Sequence, residues 1–213
     1  RQARRLQKMP EAVLLAEARN AVGYRKMRLY PDDHSVQLLV PGMRLDLGGI
    51  AKGYAADEAL KILRARGITR ALVAADGDIA VADPPPGKPG WRVAIVSLDV
   101  PNAPTNQLVL LKHAAISTSG DLSQRLEIDG KRYSHVLDPR TGIGLTDHSL
   151  VSVIAANGIT ADSLTKVVSV LGPEKGLKMI EATPGTAARV LRQPSDRIER
   201  YESKRFKSYL LPD

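Results

Sequence analysis

Residues 124–136 read Gln124-Arg125-Leu126-Glu127-Ile128-Asp129-Gly130-Lys131-Arg132-Tyr133-Ser134-His135-Val136. Two β-prone runs, 124–128 and 132–136, flank Asp129-Gly130, a pair that accepts the positive φ angles of a two-residue hairpin turn. The strands on either side must then run antiparallel. Upstream, 91–98 and 107–116 are also β-like, so the simplest reading of this half is a β-meander.

Outward from the hairpin the helical patterns are segregated rather than alternating with single strands. Residues 10–22 open with Pro10-Glu11 and end before Gly23, the usual asymmetry of a helix start and stop. Runs at 26–30 and 36–40, joined by Pro31-Asp32-Asp33-His34-Ser35, predict a hairpin. Apolar residues recur at helical spacing over 49–66, with Gly67 beyond. Residues 70–75 read as a strand feeding Asp76-Gly77-Asp78, and 82–90, with four Pro and two Gly, as a rigid loop. Further strands are expected at 150–155, 187–191 and 198–211, and two helices at 161–171 and 173–182 are broken at Gly172-Pro173. The pattern is that of an α+β domain.

The 213 residues suffice for one domain with a substantial core. With 43% hydrophobic and 25% charged residues the balance is that of a globular chain. The absence of cysteine excludes disulfides, thiolate metal sites and a cysteine nucleophile from this stretch. No apolar run is long enough to span a bilayer. The net charge of +8 is concentrated at the two ends, beginning with the basic residues 1–9. It comes without the stacking aromatics or groove-reading helix of a nucleic-acid binder, so no nucleic-acid partner is expected.

Four segments could carry chemistry. Asp46-Leu47-Gly48-Gly49-Ile50-Ala51-Lys52-Gly53-Tyr54 places a glycine pair at a helix start, where backbone N–H groups and Lys52 can meet a pyrophosphate; a plain tight turn is the alternative. Ser117-Thr118-Ser119-Gly120-Asp121 is a polar turn after a strand. His135-Val136-Leu137-Asp138-Pro139-Arg140-Thr141-Gly142 puts an imidazole close to a carboxylate, followed by Arg and Thr donors, a set able to relay a proton and pair with phosphate; a strand-end His before an ordinary Pro turn is the alternative. In Thr160-Ala161-Asp162-Ser163-Leu164-Thr165, Asp162 and Thr165 share a helix face as hard-oxygen ligands would. Thr160 or Asp162 would serve equally as an N-cap.

In combination and order, these segments resemble the ApbE family of FAD:protein FMN transferases. The resemblance runs from about residue 14 to 191 and implies an ApbE-like domain related to the T-fold. It implies Mg²⁺-dependent transfer of FMN from FAD to a Thr or Ser hydroxyl of a target flavoprotein, with release of AMP. By the same resemblance His135 is the catalytic residue. FAD contacts fall to Asp46, Gly48, Lys52, Ser119, Gly120, Leu137, Arg140 and Thr141, and Mg²⁺ ligands to Gly49, Asp162 and Thr165. Asp138 and Arg140 would organise the loop, and many relatives act on the periplasmic or cell-envelope side of bacteria.

Departures from the family pattern accompany the match. Lys166 stands where a Thr is usual, placing a cation beside the expected metal. The family's Gly-Gly-Asp turn reads Asp76-Gly77-Asp78, and the family's N-terminal flavin-contacting segment is expected to be missing. A metal-dependent FAD pyrophosphatase, a non-catalytic FAD-binding module and a basic-tailed interaction protein are the competing readings.

Overall fold

The structure, a computed structural model, describes residues 2–98, 100, 107–120, 125–195 and 197–212. Helices α1 (Gln2–Leu6) and α2 (Ala12–Asn20) lead into a hairpin of β1 (Met27–Tyr30) and β2 (Ser35–Leu38). Helix α3 (Ala51–Ala65) then precedes β3 (Leu72–Ala75), β4 (Asp78–Val81), β5 (Trp91–Ile95), β6 (Gln107–Leu111) and β7 (Ala114–Gly120). Next come the hairpin β8 (Arg125–Ile128) and β9 (Lys131–Ser134) and the short pair β10 (Leu137–Asp138) and β11 (Ile143–Gly144). Strand β12 (Ser149–Ala155), helix α4 (Gly158–Ala182), β13 (Ala187–Arg192) and β14 (Glu199–Glu202) complete the chain.

Six strands form one antiparallel sheet in the order β14-β13-β12-β7-β4-β3. Alternation along each strand sorts its side chains to two faces. On one face Ala80, Ala115 and Ala155 meet Ala56 of α3 and Ala161 of α4, small residues that let both helices lie close to the sheet. Farther along the same face Val151, Val153 and Val190 pack against Leu164, Val168 and Ile180 of α4. On the opposite face Val81, Ile116 and Ile154 join Val93, Val109 and Phe206, so the β5–β6 ribbon is a third layer. Arg189 is buried in that layer, donating to Gln107 Oε1 at 2.9 Å and lying over the Phe206 ring at 5.7 Å. Loss of hydration lowers its pKa to about 10, with Arg200 adding repulsion and Glu202 opposing both.

The α+β architecture and the Asp129-Gly130 hairpin stand as expected, the turn residues at φ 51° and 70°. The single meander does not. The run 107–116 breaks at His113, φ 47°, where β6 leaves the ribbon and β7 enters the main sheet between β12 and β4. Both halves are apolar because both are buried, which hides the corner in the sequence. Asp76-Gly77, at φ 45° and 92°, makes a second tight hairpin and adds β4, a strand absent from the sequence reading. The expected C-terminal strand is also shorter: after β14 the chain turns at 206–209 to bury Phe206 and to pair Leu210 with Val109. Asp121 and Gln124 lie outside the described residues.

Helix α4 breaks where Gly172-Pro173 predicts, with Gly172 at φ 76°, ψ 172°. It begins before residue 161, and its N-cap is Asn157, whose side chain accepts from the Thr160 N–H at 2.9 Å. Neither Thr160 nor Asp162 caps it. Asp57 of α3 adds a second, distant cap, accepting from the N–H groups of Gly158 at 2.7 Å and Ile159 at 2.9 Å. A carboxylate at this end also meets the positive pole of the helix.

Candidate active site

The start of α3, the end of the β3–β4 hairpin and the first turns of α4 converge on two buried carboxylates. Asp162 is fully buried; its Oδ2 accepts from the Gly53 N–H at 3.2 Å and its Oδ1 is paired with the Lys166 ammonium. The i, i+4 spacing places Lys166 above Asp162 on one face of α4. Asp78 is 1% exposed, and Ser117 of β7 donates to its Oδ1 at 2.5 Å. Its Oδ2 faces the Lys52 ammonium at 3.5 Å and has no hydrogen-bond partner. Lys52 donates instead to the Asp76 carbonyl at 3.1 Å.

Burial raises the pKa of Asp78; the Ser117 hydroxyl opposes that, the nearby Asp162 charge adds to it, and Lys52 and Lys166 oppose it. Each carboxylate is thus tied to one lysine. Both lysines retain some access to solvent, Lys52 at 36% and Lys166 at 23% of the side chain, while the carboxylates beneath them have almost none.

The turn before α3 uses its donors internally. Asp46 Oδ1 accepts from the Gly48 N–H at 2.8 Å, and the N–H groups of Ile50 and Ala51 go to the Leu47 carbonyl. The expected anion cradle therefore keeps fewer open N–H groups than its glycines suggest, and its cationic character comes from Lys52. Gly49 lies on the methylene stem of Lys166, where a Cβ would stand 3.7 Å from its Cγ.

His135 is exposed at the bend between β9 and β10, next to the buried anchor Val136. Beyond it the chain reverses through a braced turn. Asp138 accepts from the Arg140 backbone N–H at 2.9 Å and from its guanidinium at 2.7–3.1 Å, while its carbonyl accepts from the Gly142 N–H at 2.7 Å. The Arg140 contacts hold the Asp138 carboxyl below the ordinary carboxylate range. Arg140 also reaches the Val170 carbonyl of α4 at 3.5 Å, and Arg19 of α2 donates to the Arg140 carbonyl at 2.6 Å. Thr141 accepts from the Ile143 N–H at 3.2 Å.

Asp138 and Arg140 thus organise the loop, as the resemblance implied, and the Arg140 guanidinium is engaged by the Asp138 carboxylate. Leu137 is 57% exposed beside it. Ser119 and Gly120 belong to β7, opposite Val151 and Leu150. A Cβ on Gly120 would fall 2.6 Å from Leu150 Cδ1, so close packing requires that glycine. The His135 loop and the lysine–carboxylate cluster share α4 as their common support. Asp162 and Val170 are eight residues apart, about 12 Å along its axis.

The residues around Asp162 do not fit the Mg²⁺ site that the resemblance implied. Both oxygens of Asp162 are engaged, one of them by an ammonium. Thr165 is fully buried, and its hydroxyl donates to the Asp162 carbonyl at 2.7 Å. Among the described residues no group of three or more His, Asp or Glu side chains is arranged to hold a metal ion.

The sequence motifs assign no role to Asp57, Asp78 or Ser117. Asp78 and Ser117 carried a usable signal, since both fall on strand positions that alternate with apolar residues facing the other layer. Asp57 had only its spacing: four residues after Gly53, it shares that residue's helix face.

The ApbE family model matches residues 1–190. The chain belongs to the ApbE family. Among relatives, it is 34% identical over 208 residues to a FAD:protein FMN transferase of Klebsiella pneumoniae, covering 95% of this chain and 58% of that protein. A protein of the same name from Escherichia coli is 36% identical over 177 residues, covering 82% and 50%. Among ApbE structures, that of Thermotoga maritima superposes with a TM-score of 0.82 at 30% identity, covering 96% of this chain and 65% of that one. The flavin transferase ApbE of Vibrio cholerae gives 0.82 at 29%, covering 95% and 63%. The chain spans between half and three-fifths of the length of these curated relatives. No described helix is long and apolar enough to cross a membrane.

Proposed function

We propose that this ApbE-family chain binds FAD and transfers its FMN half to a Thr or Ser hydroxyl of a target flavoprotein, releasing AMP. The observation that carries the reading is the joint support of two features on α4. One is an exposed imidazole on a braced loop; the other is a lysine pair set over buried carboxylates. Phosphoryl transfer needs little from a protein beyond positioning, charge neutralisation and a base for the attacking hydroxyl.

In this reading His135 takes the proton of the acceptor hydroxyl. The freed oxygen forms a bond to the FMN-side phosphorus, the bond from that phosphorus to the bridging oxygen breaks, and AMP departs with the bridging oxygen. Lys52 offsets charge developing on the phosphates. The Asp138–Arg140 brace keeps the His135 bend in place, and Arg19 ties that brace to α2. Leu137, exposed beside the bend, offers apolar contact to the flavin nucleotide.

The test is to incubate the chain with FAD and a threonine-bearing flavoprotein domain, following AMP release and flavin fluorescence on the denatured acceptor. The expected outcome is AMP and labelled acceptor in equal amounts, both abolished by His135→Ala while FAD still binds. AMP without labelled acceptor would mean that water is the nucleophile. Unchanged labelling by the His135→Ala variant would remove His135 from the reaction.

A further inference from the structure

The group over Asp162 is an ammonium of this chain. Asp162 is fully buried, so its charge needs a cation close by, and the side chain that supplies one is Lys166. Gly49 lies beside the stem of Lys166, where a Cβ would come into ordinary van der Waals contact with it. On the far side, Asp78 is buried with one oxygen lacking a hydrogen bond, and Lys52 and Lys166 both act on its charge. Two carboxylates and two ammoniums therefore balance within one cluster. An added divalent ion would sit among two lysines, with both oxygens of Asp162 already engaged.

We propose that Lys166 is a built-in cation, its ammonium occupying the place beside Asp162 that a divalent metal would take, so that the cluster receives a phosphate anion without metal. The ammonium has three donors and a flexible stem, so it can keep one contact to Asp162 while turning another donor to an incoming phosphate oxygen. That the anion is the pyrophosphate of FAD rests on the function proposed above. That the cation is Lys166 does not.

The two claims separate in one experiment. Mn²⁺ binding is measured by electron paramagnetic resonance on the native chain, on Lys166→Ala and Lys166→Met, and on Lys166→Ala combined with Asp162→Asn. Each is measured with and without FAD, and FAD affinity is measured by flavin fluorescence in EDTA and in Mg²⁺. The native chain should show no saturable Mn²⁺ site and the same FAD affinity in both buffers. At least one of the two single variants should gain one Mn²⁺ site, about tenfold or more tighter than any native binding, and lose it again with Asp162→Asn.

A saturable native Mn²⁺ site that depends on Asp162 would overturn the proposal. So would the failure of both folded single variants, checked by circular dichroism, to gain a site. If the variants gain the site but no form binds FAD, the flavin reading falls and the assignment of Lys166 stands.

Discussion

Gly53 of α3 and Gly158 of α4 cross so closely that a Cβ on the first would stand 2.1 Å from the Gly158 carbonyl oxygen. A Cβ on the second would stand 2.5 Å from that of Gly53. The approach brings the Gly53 N–H to Asp162 and the Gly158 N–H to Asp57, so one crossing fixes both carboxylates. Because the obstacle is backbone, it cannot rotate away. Gly53→Ala is expected to destabilise the chain by about 3 kcal/mol, read as a lower urea midpoint, and to weaken FAD binding with it. A midpoint equal to that of the native chain would show that the helices can separate freely.

Asp57→Ala removes the acceptor of two N–H groups at the start of α4. The expected loss is about 1–2 kcal/mol, equivalent to a fall of a few degrees in the thermal midpoint at this chain length. Asp57→Asn keeps one acceptor and should lose less. Equal losses for the two would assign the effect to packing rather than to the cap.

Asp78 links stability to pH. Its folded pKa is raised above the ordinary 3.8 chiefly by burial. The folded chain therefore holds this proton more tightly than the unfolded one, and the contribution is fully present below pH 3.8. It is lost as pH rises through the folded pKa. Asp78→Asn removes this slope, so its stability relative to the native chain should improve as pH rises from about 4 through the folded pKa and then level off. Urea unfolding at several pH values measures the difference, and a constant gap across the range would contradict the raised pKa.

Arg140→Ala should return the Asp138 carboxyl from its lowered pKa towards the ordinary carboxylate value, since the arginine side-chain contacts are the leading cause of the shift. Carbon-detected NMR titration of the side-chain carboxyl reads this directly. A pKa that stays low in the variant would transfer the cause to the remaining backbone hydrogen bonds of the loop.

Gly172→Ala should cost about 1–3 kcal/mol even though no atom lies within 4 Å of the new methyl group. The cost comes from φ 76° with ψ 172°, a backbone region that L side chains avoid. Thermal unfolding checks it, and an unchanged midpoint would mean that the helix break can relax without that conformation.

The sequence by itself determined the features that depend on neighbours along the chain. The hairpin at Asp129-Gly130, the break at Gly172-Pro173 and the turn organised by Asp138 and Arg140 are settled by local φ preferences and by side chains reaching two residues on. The motifs also carried the family, because their residue types and order survive without knowledge of contacts. Tertiary structure alone decided what each buried charge meets. Asp162 reaches across 109 residues to Gly53, Asp57 across 101 to Gly158, and Asp78 across 39 to Ser117. The pairing of Asp162 with Lys166 is local in spacing, yet its consequence is not. The Asp162 carboxylate is fully buried, and the pair shares its electrostatics with Lys52 and Asp78, which distant segments bring beside it. Local propensity acts over a few residues, whereas the desolvation that makes these charges matter exists only once distant segments have packed together.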